Sequence, residues 1–414
     1  MEKPTRLEGQ SRLGKIIGNF YTGAHECARS KRQPIAWVST AAPVEILWAM
    51  GYECVFPEAH SASCGGRHVG DFHCQVTEAR NYEMHLCTYA RNDIGWVLAG
   101  DDHKSPVGGL PRPDLLVCAN NSCTTMQKWM ENQSRYLRVP MVLIDTPYLA
   151  PGTEEKGVID YILKQFVDLI RILEKLTGRK FDGDKLQEIV AMGQKNSQLY
   201  QDILALNKAS LPPASMFDLF AQNFPMLCMR NTTVALEHYT LLKQELEQRV
   251  VQGIPAFPDI KYRIYWDGVP SWFALSSLSK KLSSLRMCLT ASNYSHLFSY
   301  KHLDAARPLE SVAEGCAKFH LNRSVAYKRD FVARLFREYA LDGGIFEYAE
   351  TCKPFTITQS YIEDYIRTEL GLPTVRFEAD LTDSRFYSEE ETYLRFETFA
   401  EALESRSFRE RGPS

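Results

Sequence analysis

Short apolar runs, each followed by an apolar stripe at helical spacing, recur near both ends of this 414-residue chain and are interrupted between them. Pro34-Ile35-Ala36-Trp37-Val38 reads as a buried strand, and Val44, Ile46, Leu47 and Met50 then share a helical face that stops at Gly51. Pro113-Asp114-Leu115-Leu116-Val117-Cys118 repeats the strand, with Met126, Trp129 and Met130 at helical spacing after the Asn120-Asn121 turn. Met141-Val142-Leu143-Ile144-Asp145 is a further strand, ending at Thr146-Pro147. Alternation of this kind predicts a parallel sheet with helices on both faces.

Residues 157–252 carry long helical stripes instead. Val158, Ile162, Phe166, Leu169, Ile170 and Leu173 lie on one face, and Asp184 is the expected N-cap of a second helix carrying Leu186, Ile189 and Val190. Ser210-Leu211-Pro212-Pro213 breaks the run. After Gly253-Ile254-Pro255 the strand-helix rhythm returns: Tyr262-Arg263-Ile264-Tyr265-Trp266, a helix through Leu275, Leu278 and Leu282, then strands at 286–289 and 344–348. The pattern predicts an α/β protein of two doubly wound parallel-sheet lobes, Rossmann or flavodoxin-like, joined by a helical segment. The expected boundaries are 1–152, 153–256 and 257–414.

The chain is 44% hydrophobic and 24% charged with a formal net charge of -3, so no basic excess points to nucleic acid. The N-terminus Met1-Glu2-Lys3-Pro4-Thr5-Arg6 is polar and leads into no signal-type apolar core. No later run approaches the roughly 18 apolar residues that span a bilayer. A cytoplasmic protein is expected, with no membrane and no nucleic acid among its partners. In a reducing compartment its 11 cysteines, odd in number and widely scattered, are not a disulfide framework.

Three cysteines stand alone in separate segments: Cys87, Cys123 and Cys352. Cys123 follows the strand at 113–118 and Cys352 the strand at 344–348, and ligands of doubly wound sheets sit beyond the carboxyl ends of strands. Cys87 follows a helical stretch. An isolated intracellular cysteine is usually a buried small hydrophobe. The alternative is convergence of three loops, with three thiolates holding a redox metal cluster that leaves one iron open. Spacing alone leaves both readings standing, because no close CxxC pair is present. Cys118 is expected to face the core, and Cys64 and Cys74 to be core residues or neighbours of a ligand.

The surrounding segments resemble the family of radical 2-hydroxyacyl-CoA dehydratases and ATP-dependent benzoyl-CoA reductases, in their cluster-bearing subunits. The resemblance rests on Ser39-Thr40-Ala41-Ala42-Pro43-Val44-Glu45, Phe56-Pro57-Glu58-Ala59-His60, Leu86-Cys87-Thr88-Tyr89-Ala90-Arg91-Asn92-Asp93-Ile94-Gly95 and Asn120-Asn121-Ser122-Cys123. It continues through Ile144-Asp145-Thr146-Pro147-Tyr148, Trp266-Asp267-Gly268, Cys352-Lys353-Pro354 and Asp380-Leu381-Thr382-Asp383-Ser384-Arg385-Phe386-Tyr387, in the family's order.

The resemblance implies a 4Fe-4S cluster held by Cys87, Cys123 and Cys352, and a homologous second subunit with its own cluster. It also implies a separate ATP-hydrolysing iron-sulfur activator that delivers one electron at very low potential to an acyl-CoA substrate. In the dehydratases that electron makes a ketyl radical anion of the thioester, which expels a hydroxyl; in the reductases it begins reduction of an aromatic ring. The chain has no GxxxxGK(S/T) loop with which to act as the ATPase itself. Two alternatives stay open. One is an electron-relay or accessory subunit that never touches substrate; the other is a related single-chain reductase with a double-cubane 8Fe-9S cluster, which needs additional cysteine ligands.

By the same resemblance Ser39 and Glu58 are candidates for positioning the thioester and the substrate hydroxyl, with His60 beside them; a buried carboxyl there could move protons. The structural alternative is that Ser39 caps the next helix, Glu58 pairs with Arg67 and His60 is a satisfied turn residue. Arg91 could bond a cluster sulfide or a CoA phosphate, or pair with Asp93. Asp380, Asp383 and Arg385 suit a polar turn after a strand at 375–378. The segment after Cys123, Thr124-Thr125-Met126-Gln127-Lys128-Trp129, is closer to the reductase-like branch, and Ala349-Glu350-Thr351 departs from the Arg-Ser pair that many relatives place before the third cysteine.

Overall fold

The computed structural model describes residues 7–411, which form two four-stranded parallel sheets amid helices. The first sheet holds β1 (Ile35–Val38), β2 (Glu53–Val55), β3 (Leu115–Ala119) and β4 (Met141–Ile144), in the order β2-β1-β3-β4. The second holds β5 (Tyr262–Asp267), β6 (Met287–Ser292), β7 (Gly343–Ala349) and β8 (Thr374–Ala379), in the order β6-β5-β7-β8. The two orders are the same topology, so the α/β expectation of two similar lobes holds. Every residue of β1 and β3 is buried, as befits strands covered on both faces. Registers such as Trp37 opposite both Val55 and Leu116 place the strands' carboxyl ends on one edge.

Sequence pattern alone missed β2, whose three residues are too few to show a period; it is a strand because it pairs with β1. Between the lobes run helices Glu155–Thr177, Gly183–Leu206 and Thr233–Gln252. Val158, Ile162, Phe166, Leu169 and Leu173 are buried along the first, as their stripe predicts. The second is capped by Asp182 rather than Asp184: Asp182 has extended backbone and accepts from the Asp184 and Lys185 amides at 3.0 and 3.1 Å, which leaves Asp184 inside the first turn.

The N-terminal helix Glu8–Ser30 lies on Thr233–Gln252 so closely that a Cβ at Gly9 would meet Leu242 at 2.8 Å. One continuous apolar cluster links both sheets and the helices between them. It fixes the two lobes' strand ends against each other. Among the described residues no helix is long and apolar enough to cross a membrane.

Candidate functional site

Equal strand orders give each sheet a switch point of the same kind, between β1 and β3 in the first and between β5 and β7 in the second. Loops leaving the carboxyl ends of such strands open a crevice. Cys123 follows β3, and Cys352 follows its counterpart β7. Each of the three singled-out cysteines is the residue immediately before a helix: Cys87 before Thr88–Ala99, Cys123 before Thr124–Leu137, Cys352 before the single turn Lys353–Thr356. Free amides at such positions favour negative charge, and the Met126 amide donates to Cys123 Sγ at 3.2 Å.

All three thiols line one cavity of about 640 Å³ whose walls come from both lobes and the helical segment. Of the eleven cysteines these three alone are partly exposed; the other eight, Cys64, Cys74 and Cys118 included, are buried. Burial pushes the Cys87 thiol up to about 12 and the Cys123 thiol up to about 11. Cys352 is raised by burial and then by the charges of Cys87 and Cys123, so the three sulfurs are electrostatic neighbours. Among the described residues no three His, Cys, Asp or Glu side chains close on a single metal ion. Three thiols spread around a cavity suit a polynuclear, sulfur-bridged centre better than a lone ion.

Asp380, just past the end of β8, ties two of these loops together. Its Oδ1 accepts from Thr88 Oγ1 at 2.8 Å and Thr351 Oγ1 at 3.1 Å, and its Oδ2 accepts from the Thr351 amide at 3.1 Å. Thr88 follows Cys87 and Thr351 precedes Cys352.

Glu58 enters the cavity from the start of helix Pro57–Gly66. It is 8% exposed. Its Oε1 accepts from the Thr40 amide at 3.1 Å and Thr40 Oγ1 at 3.0 Å, while Oε2 is buried without a hydrogen-bond partner. Burial outweighs the Thr40 bonds and raises the carboxyl to about 7, where it can hold or release a proton near neutrality. Its partner is therefore Thr40, not Arg67.

Ser39 and His60 lie behind the wall rather than on it. Ser39 Oγ accepts from the Ala119 amide at 3.1 Å, which ties the end of β1 to the end of β3, and Thr40 is the residue that lines the cavity. His60 Nε2 meets Ser105 Oγ at 2.9 Å, its ring packs edge-on against Trp96, and burial lowers it to about 3, so it is neutral.

Arg91 is fully buried and pairs with Glu78 and with Asp383 at 3.1 Å, not with Asp93. Asp93 instead accepts from Trp129 Nε1 and Gln133 Nε2, both at 2.7 Å. Arg91 thus braces the fold beneath the first thiol loop. Sequence reasoning passed over Thr40 and Asn223 on the wall, and the glycine face Gly14 and Gly18 of the N-terminal helix. Nothing local marks them; they reach the cavity through tertiary packing.

Known proteins share this arrangement of segments. Residues 39–403 match the family model described as 2-hydroxyglutaryl-CoA dehydratase, D-component. The chain is 28% identical over 413 residues to the (R)-2-hydroxyisocaproyl-CoA dehydratase alpha subunit of Clostridioides difficile, covering 98% of this chain and 99% of that one. It is 29% identical over 380 residues to the (R)-phenyllactyl-CoA dehydratase alpha subunit of Clostridium sporogenes, covering 91% of each. With a subunit of the benzoyl-CoA reductase of Thauera aromatica it shares 27% identity over 369 residues, 84% of each chain. The match spans both lobes and nearly every segment that builds the cavity: the chain belongs to the 2-hydroxyglutaryl-CoA dehydratase D-component family.

Proposed function

We propose that this chain is the substrate-bearing iron-sulfur subunit of an enzyme acting on acyl-CoA thioesters, of the 2-hydroxyacyl-CoA dehydratase or benzoyl-CoA reductase type. The observation that carries the reading is the convergence of Cys87, Cys123 and Cys352 with Glu58 on one cavity. Cys87, Cys123 and Cys352 would hold a 4Fe-4S cluster, which when bound would supply one-electron transfer at low potential. The burial of Cys64, Cys74 and Cys118 away from the cavity wall supports one such cluster rather than a double cubane.

The chain's own part is to exclude water, orient the thioester and manage a proton. The apolar wall does the first. Thr40 holds Glu58 Oε1 and leaves Oε2 without a protein partner in a residue that lines the cavity, so at neutral pH the carboxyl is suited to give a proton to a departing hydroxyl or take one from an adjacent carbon. Ser39 keeps the β1 and β3 ends in register beneath them. The relatives are themselves named as subunits, which supports a partner chain, and a separate ATP-hydrolysing activator belongs to the same reading.

The test is anaerobic purification with iron and sulfide analysis, then assay with the partner chain, activator, ATP and acyl-CoA. About four irons per chain are expected, lost in Cys87→Ser, Cys123→Ser and Cys352→Ser and kept in Cys118→Ala. Glu58→Ala should keep the iron and lose turnover. Full turnover in Glu58→Ala would make the chain an electron relay, and iron-free wild type after reconstitution would end the cluster reading.

A further inference from the structure

Resting on the acyl-CoA reading above, we infer that the cavity takes acyl groups that are bulky and uncharged, aryl or branched alkyl, and turns away acyl groups with a second carboxylate. The acyl end points inward and the CoA phosphates stay at the mouth.

The wall is the first ground. Phe220, Phe224, Leu227, Tyr294, Phe298 and Phe319 line the cavity, and all are buried. Among the described residues the only cationic or imidazole side chains on the wall are Arg67 and His68. Both are exposed, which puts them at the solvent end, where they suit phosphate rather than an acyl chain. The ionisable groups deeper in are Glu58, two tyrosines and the three thiols, none of which is a cation. A distal carboxylate would therefore lose its water among aromatic rings, with no positive partner and with Glu58 sharing the space.

The polar atoms left over are the second ground. Asn223 is 1% exposed and lines the cavity. Its Oδ1 accepts from the Tyr200 hydroxyl, while its Nδ2 makes no hydrogen bond of ordinary geometry, although the Tyr294 hydroxyl lies beside it. A buried neutral donor of this kind is satisfied by one neutral oxygen of a ligand. Ser122 Oγ on the same wall is likewise buried without a hydrogen-bond partner, and two neutral donors do not offset the burial of a full negative charge.

The entry path agrees. Gly14 and Gly18 face the cavity from the N-terminal helix, and a Cβ at either would meet nothing within 4 Å. Protein packing does not require glycine there, and glycine inside a helix costs about 1 kcal/mol relative to alanine. A slender arm passing against the helix backbone accounts for both positions.

The experiment is competition binding to the holoenzyme, isolated anaerobically, with four probes: CoA, an aryl-substituted propionyl-CoA, a branched six-carbon acyl-CoA and glutaryl-CoA. The aryl and branched esters are expected to bind about 100-fold more tightly than glutaryl-CoA. Glutaryl-CoA binding within about ten-fold of them overturns the selectivity while leaving the acyl-CoA reading intact. Binding of none of the four overturns the acyl-CoA reading, and the inference with it. Leu227→Lys, which sets a cation in the inner wall, should narrow the gap by about ten-fold or more. An unchanged ratio in that variant, with the wild-type iron content, overturns the placement of the acyl end.

Discussion

The Thr88 amide donates to Thr351 Oγ1 at 3.0 Å, across 263 positions of sequence. Thr88 is the first residue after Cys87 and Thr351 the last before Cys352, so this bond joins the first and third thiol loops directly. Asp380 bonds both threonines from just past the end of β8. The spacing of two cysteines from different lobes is thereby set by backbone and carboxylate, independently of anything the thiols hold.

Asp380→Ala should loosen that spacing. It removes the acceptor of four hydrogen bonds from buried groups, the Leu381 amide included, with an expected cost of about 3 kcal/mol in unfolding free energy. Iron per chain after anaerobic reconstitution should fall below wild type, and Asp380→Asn, which keeps the Oδ1 acceptor, should fall between. Wild-type iron in Asp380→Ala would show that the thiols find their spacing without the clamp.

Gly95→Ala tests the seat of the first loop. A Cβ at Gly95 would stand 1.8 Å from the His73 carbonyl oxygen and 2.6 Å from its carbon, both backbone atoms. Helices Thr88–Ala99 and Gly70–Glu78 must then separate, carrying Cys87 with them. A loss of about 3 kcal/mol and reduced iron content are expected. Gly66→Ala, where a Cβ meets nothing within 4 Å, should stay within about 0.5 kcal/mol of wild type. Equal denaturation midpoints for the two variants would refute the packing argument.

Arg91→Met should cost about 2–3 kcal/mol, because it removes one of the two cations paired with the buried Asp383. Arg385, which also pairs with Asp383, limits the loss. Adding Asp383→Leu should recover part of it, and a double-mutant cycle by urea denaturation measures the coupling. Additive losses would mean that Arg91 acts through packing alone.

Much of the architecture was legible because both lobes repeat a strong local pattern: β1, β3 and β5 are apolar runs, and each cysteine loop sits where a strand or helix boundary is written in turn residues. Partner choice was not legible. Glu58 bonds Thr40 rather than Arg67, and Arg91 bonds Glu78 and Asp383 rather than Asp93, because side-chain partners are set by which helices pack, not by nearness in sequence. Asp380 read as a turn residue for the same reason; its partners lie 292 and 29 positions away. Asp182 took the cap from Asp184 because chain direction after Gly178 decides where the helix begins.

Buried ionisable groups make stability depend on pH with a sign that can be worked out. His60 and His320 are lowered to about 3, and His73, His238 and His296 to about 4, in each case chiefly by burial. Below about 6.5 the unfolded chain takes up protons that these folded histidines refuse, so their contribution is present above that pH and is lost as pH falls toward 4. Glu58 and Asp93, raised to about 7 by burial, act oppositely: the folded chain holds their protons longer, and stability is lost as pH rises from about 4.5 through 7. Burial also raises Glu53, Asp218, Asp267, Glu347 and Asp380 and lowers His302, so carboxyls and histidines pull stability in opposite directions as pH rises, and a single-residue comparison isolates one of them. Glu58→Gln removes one opposing group. Relative to wild type it should gain stability between about pH 5 and pH 8, by up to about 3 kcal/mol for a carboxyl displaced from 4.5 to about 7. Urea denaturation of cluster-free protein across that range checks the slope; a constant difference between Glu58→Gln and wild type would mean that Glu58 titrates as an exposed carboxyl and that its buried Oε2 is reached by water.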